Sequence, residues 1–533
     1  MSPMATPVIT NPVLPGFHPD PSFVRVGDDY YLATSTFEWF PGVQLHHSRD
    51  LVHWRTLGHA LTRTSQLDLR GIADSAGVWA PSLSYADGKF WLIYTNIRNT
   101  GMGRPFKDIG IYLTTAESIE GPWSDPVTLD SIGFDPSLFH DDDGRKYLLN
   151  MRWDFRKGRY RFAGIVLQEY DPVSETLVGP RSEILVKENI LTEGPNLYKR
   201  DGWYYLMLAE GGTGWNHGIS MARSRNLLGP YELDPQPSVL TTRDDESQPL
   251  QKAGHGELVQ TQSGEWYLAH LASRPLGQGV DRRCILGRET CLQKVTWSED
   301  GWLRLAHGGH HPLVEVPAPP ELPATPWPAV PAREDFADPA LGPEWSALRR
   351  PITDDWASLS ARPGWLRLKG GDSLHSWFHQ SLVARRLEST RCRITTRLDF
   401  SPDHHTQMAG LVCYYDTRSH YYLRVTADDH GRRILGLVLT DDATYDEPGD
   451  DLDVSDWPPV WLRAEIHDSA LQFSASPDGE TWVKIGKILD ATKLSDDYGN
   501  YLHFTGAFAG LCVQDLGGTH RTADFDFFEM TPL

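Results

Sequence analysis

An all-β chain in two parts is predicted: a five-bladed β-propeller catalytic domain over residues 1–316 and a β-sandwich over 333–533, joined by a proline-rich linker at 317–332. Three observations carry this. A hairpin-forming stretch recurs five times in the first part. A proline-dense run follows it. The stretches beyond alternate apolar and polar residues with no sustained helical period.

The repeat reads "DPSFVRVGDDYYL" from Asp20, "APSLSYADGKFWL" from Ala80, "DPSLFHDDDGRKYL" from Asp135, "EGPNLYKRDGWYYL" from Glu193 and "HGELVQTQSGEWYL" from His255. Each unit has a lead residue, small residues or proline, an alternating strand, a Gly/Asp turn and an aromatic strand ending in Leu. Strand, tight turn and strand make a hairpin. The starts are 60, 55, 58 and 62 residues apart, room for four short strands, which is one propeller blade. A sandwich with chance hairpins would not repeat the whole hairpin five times. The run "PAPPELPATPWPAVPARED" is too proline-rich for a sheet and reads as a stiff linker. "RCRITTRLDF", "MAGLVCYYD", "YYLRVTA", "RILGLVLT" and "VWLRAEI" then read as strands of two packed antiparallel sheets. The sandwich either stabilises the propeller or helps close one end of its funnel.

The 533 residues are too many for one core. The net charge of −21 argues against a nucleic-acid partner. The five cysteines (Cys284, Cys291, Cys392, Cys413, Cys512) are scattered without a CxxC pair, so they announce neither a zinc site nor a disulfide framework. The start "MSPMATPVITNP" lacks the basic and apolar regions of a secretory signal, and no apolar run is long enough to span a bilayer. A cytoplasmic setting without a membrane partner is expected.

If the lead residues start the innermost strand of each blade, Asp20, Ala80 (after Trp79), Asp135, Glu193 and His255 converge near the axis. Asp20 lies between Pro19 and Pro21 in "FHPDPS", which stiffen the segment. Gathering like charges raises at least one pKa, the arrangement general acid–base chemistry uses. "DDD" at Asp141 to Asp143 falls in a hairpin turn and reads as a solvated loop.

"FHPDPS", "GVWAPSL", "FDPSLFHDDDG", "LTEGPNLY", "AGHGELV" and "LGRET" resemble glycoside hydrolase family 43, closest to its two-domain β-xylosidases. The resemblance spans both domains, in order. It implies an inverting exo-enzyme that releases D-xylose from the non-reducing ends of xylobiose and 1,4-β-xylooligosaccharides, with side activity on α-L-arabinofuranosides. Asp20 would be the base that activates water, Glu193 the acid, and Asp135 the residue that orients Glu193 and keeps it protonated. Glycoside hydrolysis needs one carboxyl protonated and one ionised, and in inverting enzymes they stand roughly 6.5–9.5 Å apart. Phe37, Trp79 and Trp153 would line the sugar pocket, each with blade packing as the alternative. Arg288 would hold sugar hydroxyls or a carboxylate. His255 would face the channel centre beside water or hydrated calcium. No cofactor is required, and any calcium would be supportive, since Ca²⁺ prefers oxygen ligands. "HFTGAFAG" resembles the segment reaching over the active site, with Phe504 as the candidate and Phe508 the alternative. By analogy the chain would form a homotetramer. A mainly α-L-arabinofuranosidase activity is the near alternative. Invertase-like fructosidases share the architecture, but their "NDPNG", "RDP" and "EC" motifs are absent. A non-catalytic carbohydrate-binding propeller would not need axial acids.

Overall fold

The computed structural model describes residues 7–99, 106–499 and 503–533. Five four-stranded antiparallel sheets, one with an extra short strand, form the propeller. Their innermost strands are Ser22–Val26, Gly77–Ala86, Gly133–His140, Thr192–Arg200 and Gln251–Gln260. Each pairs with the next strand across a tight turn, and at Asp87–Gly88 and Asp201–Gly202 both residues have positive φ. That is the type I′ geometry whose twist matches the flanking strands, so the Asp-Gly signals in the sequence set these hairpins locally.

The ring closes through its ends. Val8–Thr10 pairs antiparallel with Glu315–Pro317 beyond blade five. Asn11 Nδ2 donates to the Leu292 carbonyl, and Leu292 N–H donates back to Asn11 Oδ1, both at 2.7 Å. Inside the ring, buried Glu257 of blade five accepts from Ser22 Oγ and Phe23 N of blade one at 2.8 and 2.7 Å. It also accepts from Ser82 Oγ of blade two at 3.3 Å. Asp141 is not simply a solvated loop residue. Its carboxylate accepts from Lys199 at 2.6 Å and Tyr204 at 2.9 Å, tying blade three to blade four.

Beyond Arg333 two large antiparallel sheets face each other. One of them incorporates propeller residues: Trp39–Phe40 pairs with Ala347–Leu348 of the sandwich. The Trp39 indole stacks on the Phe508 ring at 3.8 Å and meets Tyr414 edge-on at 5.9 Å. A single apolar cluster therefore runs from blade one into the sandwich, with Phe17, Trp39, Phe40, Leu348, Tyr414 and Phe508 all buried in it. The run at 317–332 packs back on blade one. Trp327 Nε1 donates to the His53 carbonyl at 3.2 Å, and Arg55 lies over the Trp327 ring at 4.0 Å.

Candidate functional site

The innermost strands of blades two to five carry a register shift near their starts, at Trp79/Ser82, Phe134/Ser137, Glu193/Asn196 and Gly254/Gly256. Beside each shift one residue takes positive φ: Ala80, Asp135, Gly194 and His255, with Asp20 matching them just ahead of blade one. The blade-four lead position therefore belongs to Gly194, one residue later than the repeat alignment assigned. Glu193 corresponds instead to Trp79 and Phe134, the residues just before the bulge. A bulge re-aims the side chains on either side of it, so Glu193 comes from a different tier than Asp20 and Asp135. At Gly194 a Cβ would stand 3.1 Å from the His255 ring, and glycine leaves that space open.

Asp20 is held from several sides. His18 N–H donates to the Arg288 carbonyl at 2.9 Å, and Thr290 Oγ1 donates to the His18 carbonyl at 2.6 Å. The Asp20 carboxylate accepts from Arg288 Nη1 and from Ser35 Oγ, both at 2.7 Å. His255 Nδ1 stands 4.0 Å away. Burial alone pushes Asp20 up, but the Arg288 guanidinium, His255 and the Ser35 hydroxyl outweigh it and hold the pKa below the usual carboxylate value. Asp20 is thus ionised though only 6% exposed.

Glu193 goes the other way. Burial and the Asp20 charge push its pKa up to about 7, against Arg288 and Lys107. Asp135 is also raised, by burial, then by Glu193 and Asp20, and Gly194 N–H donates to it. This bond ties Asp135 to the residue following Glu193. One constellation therefore presents an ionised carboxylate and a carboxyl pair that retains a proton near neutral pH.

Aromatic rings form a wall beside these groups. Phe504, half-buried, stacks on Phe37 at 6.1 Å and meets Trp79 edge-on at 5.3 Å. Trp79 touches Phe134 at 5.6 Å, and Phe134 touches Trp153 at 6.0 Å. Phe508 is fully buried against Trp39 in the interdomain core, so Phe504 is the ring on this wall. Arg288 fixes it there: Nη2 donates to the Phe504 carbonyl at 2.9 Å, and Phe504 N–H donates to Ser75 Oγ at 3.0 Å. The backbones meet at glycines. A Cβ on Gly287, at φ +72°, would lie 2.7 Å from the Thr505 carbonyl oxygen, and one on Gly506 would lie 2.6 Å from that of Leu286.

Sequence reasoning missed Ser35, Ser75, Thr213 and Lys107. Thr213 accepts from Arg288 Nη1 at 2.9 Å. Lys107 Nζ lies 5.3 Å from the Trp79 ring and 5.0 Å from that of Trp153. Burial lowers its pKa to about 8. None of the four sits in a repeated position, and hydroxyls in loops carry no pattern.

The axial cavity beside His255 is lined by prolines with Asp135, Asn196 and Glu257 and measures about 10 Å³, space for one water. Among the described residues, the side chains that could share an ion gather elsewhere, at Asp244, His310 and His311 and at Cys284, Asp496 and Asp497.

Known proteins share this plan. Residues 9–303 match glycosyl hydrolases family 43, and residues 333–531 match the beta xylosidase C-terminal concanavalin A-like domain. A xylan 1,3-beta-xylosidase of Vibrio sp is 49% identical, covering 98% of this chain and 99% of its own. A xylosidase/arabinosidase of Humicola insolens is 46% identical, covering 99% and 98%. The crystal structure of a xylan beta-1,4-xylosidase from Bacillus halodurans C-125 superposes with a TM-score of 0.95 at 52% identity, covering 98% of this chain and 100% of that one. With the family model over the propeller, the C-terminal domain model over the sandwich and these relatives matching along nearly the whole chain, the protein belongs to glycoside hydrolase family 43.

Proposed function

We propose that this enzyme is an exo-acting, inverting β-xylosidase. It releases D-xylose from the non-reducing ends of xylobiose and longer 1,4-β-xylooligosaccharides, and takes α-L-arabinofuranosides as secondary substrates. The observation that carries this reading is the split between two buried carboxyls in one pocket: Asp20 held low by Arg288, Glu193 raised to about 7.

Asp20, ionised, accepts a proton from a water as that water attacks the anomeric carbon. Glu193 delivers its proton to the glycosidic oxygen, so the leaving sugar departs as a neutral alcohol. Asp135, hydrogen-bonded by Gly194 N–H, positions Glu193 and disfavours a second negative charge beside it. Arg288 keeps Asp20 ionised without protonating it, because a guanidinium does not give up its proton. The Phe37, Trp79 and Phe504 rings offer apolar faces to the C–H face of a pyranose. The sandwich segment carrying Phe504 closes that side, which supports attack at a chain end.

The test is a proton NMR time course on β-1,4-xylobiose. α-Xylose should appear first and then mutarotate, whereas β-xylose appearing first would overturn the inverting assignment. The relatives are named for both β-1,3 and β-1,4 linkages, so β-1,3-xylobiose is run in parallel, and faster turnover of it would reassign the linkage. Asp20→Ala and Glu193→Ala should each lower turnover by orders of magnitude. Near-wild-type rates in either variant would remove that residue from its role.

A further inference from the structure

Beyond the propeller's last strand the chain reads His307-Gly-Gly-His310-His311. Gly308 and Gly309 both take positive φ, +83° and +69°, in open space, folding this stretch back on itself. The imidazoles of His310 and His311 then stand 4.4 Å apart, edge to face. Their Nε2 atoms point at the two oxygens of one carboxylate, Asp244, in the loop leaving blade four, at 2.7 and 2.9 Å. A backbone bond from Thr241 N–H to the His310 carbonyl, 2.9 Å, pins the two loops together. Among the described residues these two histidines are the ion-pair partners of Asp244. The other group of this kind, Cys284 with Asp496 and Asp497, is more buried and differs in that Lys252 Nζ already lies 2.6 Å from Asp497. There an ammonium supplies the positive charge.

We propose that Asp244, His310 and His311 form a divalent transition-metal site of the zinc class. Two imidazoles and one carboxylate are the donor set that borderline cations such as Zn²⁺ select over calcium or magnesium. The three side chains are partly exposed, at 51%, 35% and 31%, so water can complete a tetrahedral shell. On binding, each imidazole gives its Nε2 lone pair to the metal, with the remaining proton on Nδ1, and the carboxylate exchanges two hydrogen bonds for a metal bond. The scattered cysteines gave no hint of such a site because its ligands are nitrogen and oxygen.

The site's place in the fold gives it a use. It joins the exit of blade four to the segment just before Glu315–Pro317, the strand that closes the ring with Val8–Thr10. A bound ion would staple the closure from outside, stabilising the folded state by an amount that grows with the logarithm of free zinc above its dissociation constant. None of its ligands belongs to the catalytic constellation.

The test uses the full-length enzyme, stripped with chelator and titrated calorimetrically with ZnCl₂ alone, beside Asp244→Asn and His310→Ala. The expected result is a one-to-one zinc site whose affinity falls tenfold or more in each variant. The melting temperature should rise with zinc in the wild type and not in the variants. Metal-free xylobiose turnover should be the same in all three, which shows the variants folded. Zinc isotherms indistinguishable between the wild type and both folded variants would overturn the proposal, as would a melting temperature that responds equally in all three.

Discussion

Asp20 and Glu193 are both carboxyls in the same pocket, yet their neighbours separate them. Arg288 is bonded to Asp20 directly, whereas Lys107 acts on Glu193 through space from beside Trp79 and Trp153. This predicts the pH profile of kcat/KM. In the proposed roles Asp20 works ionised, so the acid limb should lie below the ordinary aspartate value, and Glu193 works protonated, so the alkaline limb should fall near 7. Lys107→Met removes a positive charge that favours the glutamate anion. It should therefore move the alkaline limb upward while leaving the acid limb in place, measured by initial rates on xylobiose across pH. A limb that stays put, or moves down, would detach Lys107 from Glu193. Lys107 was invisible in the sequence because it lies in a loop outside the repeat. Asp20 was visible because the prolines flanking it and the repeat behind it are local signals.

The strand starts of the propeller and the Phe504 segment do their work as elements. The hairpins could be read from sequence because Asp-Gly turns and alternating strands act over a few residues. The lead register in blade four could not, since a bulge moves the equivalent position by one residue and the sequence alone does not say on which side of it Glu193 falls. The pairing of Trp39–Phe40 with Ala347–Leu348 was equally hidden: strands of two and three residues far apart in the chain carry no pattern. Phe504 was reached through resemblance, and its setting separates two variants. Phe504→Ala removes one half-buried ring while Arg288 still holds the backbone carbonyl, so kcat/KM on xylobiose should fall about tenfold, the equivalent of ~1.5 kcal/mol of apolar contact, with the melting temperature nearly unchanged. Gly506→Ala instead drives a Cβ to within 2.6 Å of the Leu286 carbonyl oxygen. It should displace the whole segment and lower both kcat/KM and the melting temperature. If the two variants behave alike in both assays, the segment is not a rigid wall clamped at its glycines.

At the scale of the whole molecule the two domains share one core, and that decides how the protein fails. The propeller contributes a strand to a sandwich sheet, and Phe17, Trp39 and Phe508 pack as one cluster, so cutting the chain near residue 320 should yield an insoluble, inactive propeller. Between the domains lies a second shared feature. His18 and His46 are buried with rings 4.9 Å apart, beside Arg386, which donates from Nε to the Phe17 carbonyl at 2.8 Å. Burial, then the Arg386 charge, lowers both histidines, His46 to about 3. In the unfolded chain each would take a proton near the ordinary value of about 6.5. The unfolded state therefore binds more protons below that pH, and stability present above it is lost as pH falls, by up to about 1.4 kcal/mol per pH unit for each histidine. Buried His217, His270 and His420, lowered to about 3, 4 and 4 by burial, act in the same sense. Buried carboxyls with raised values, among them Glu193, Glu257 and Asp496 at about 7, act in the opposite sense over the same range, so the histidine contribution is read from the difference between wild type and variant rather than from the whole curve. His46→Gln keeps a similar polar volume without the basic nitrogen, so its melting temperature should rise relative to the wild type as pH falls from 6.5 to 5, even if it is lower at pH 7.5. An unchanged slope in a folded His46→Gln protein would move the origin of acid sensitivity away from the domain interface.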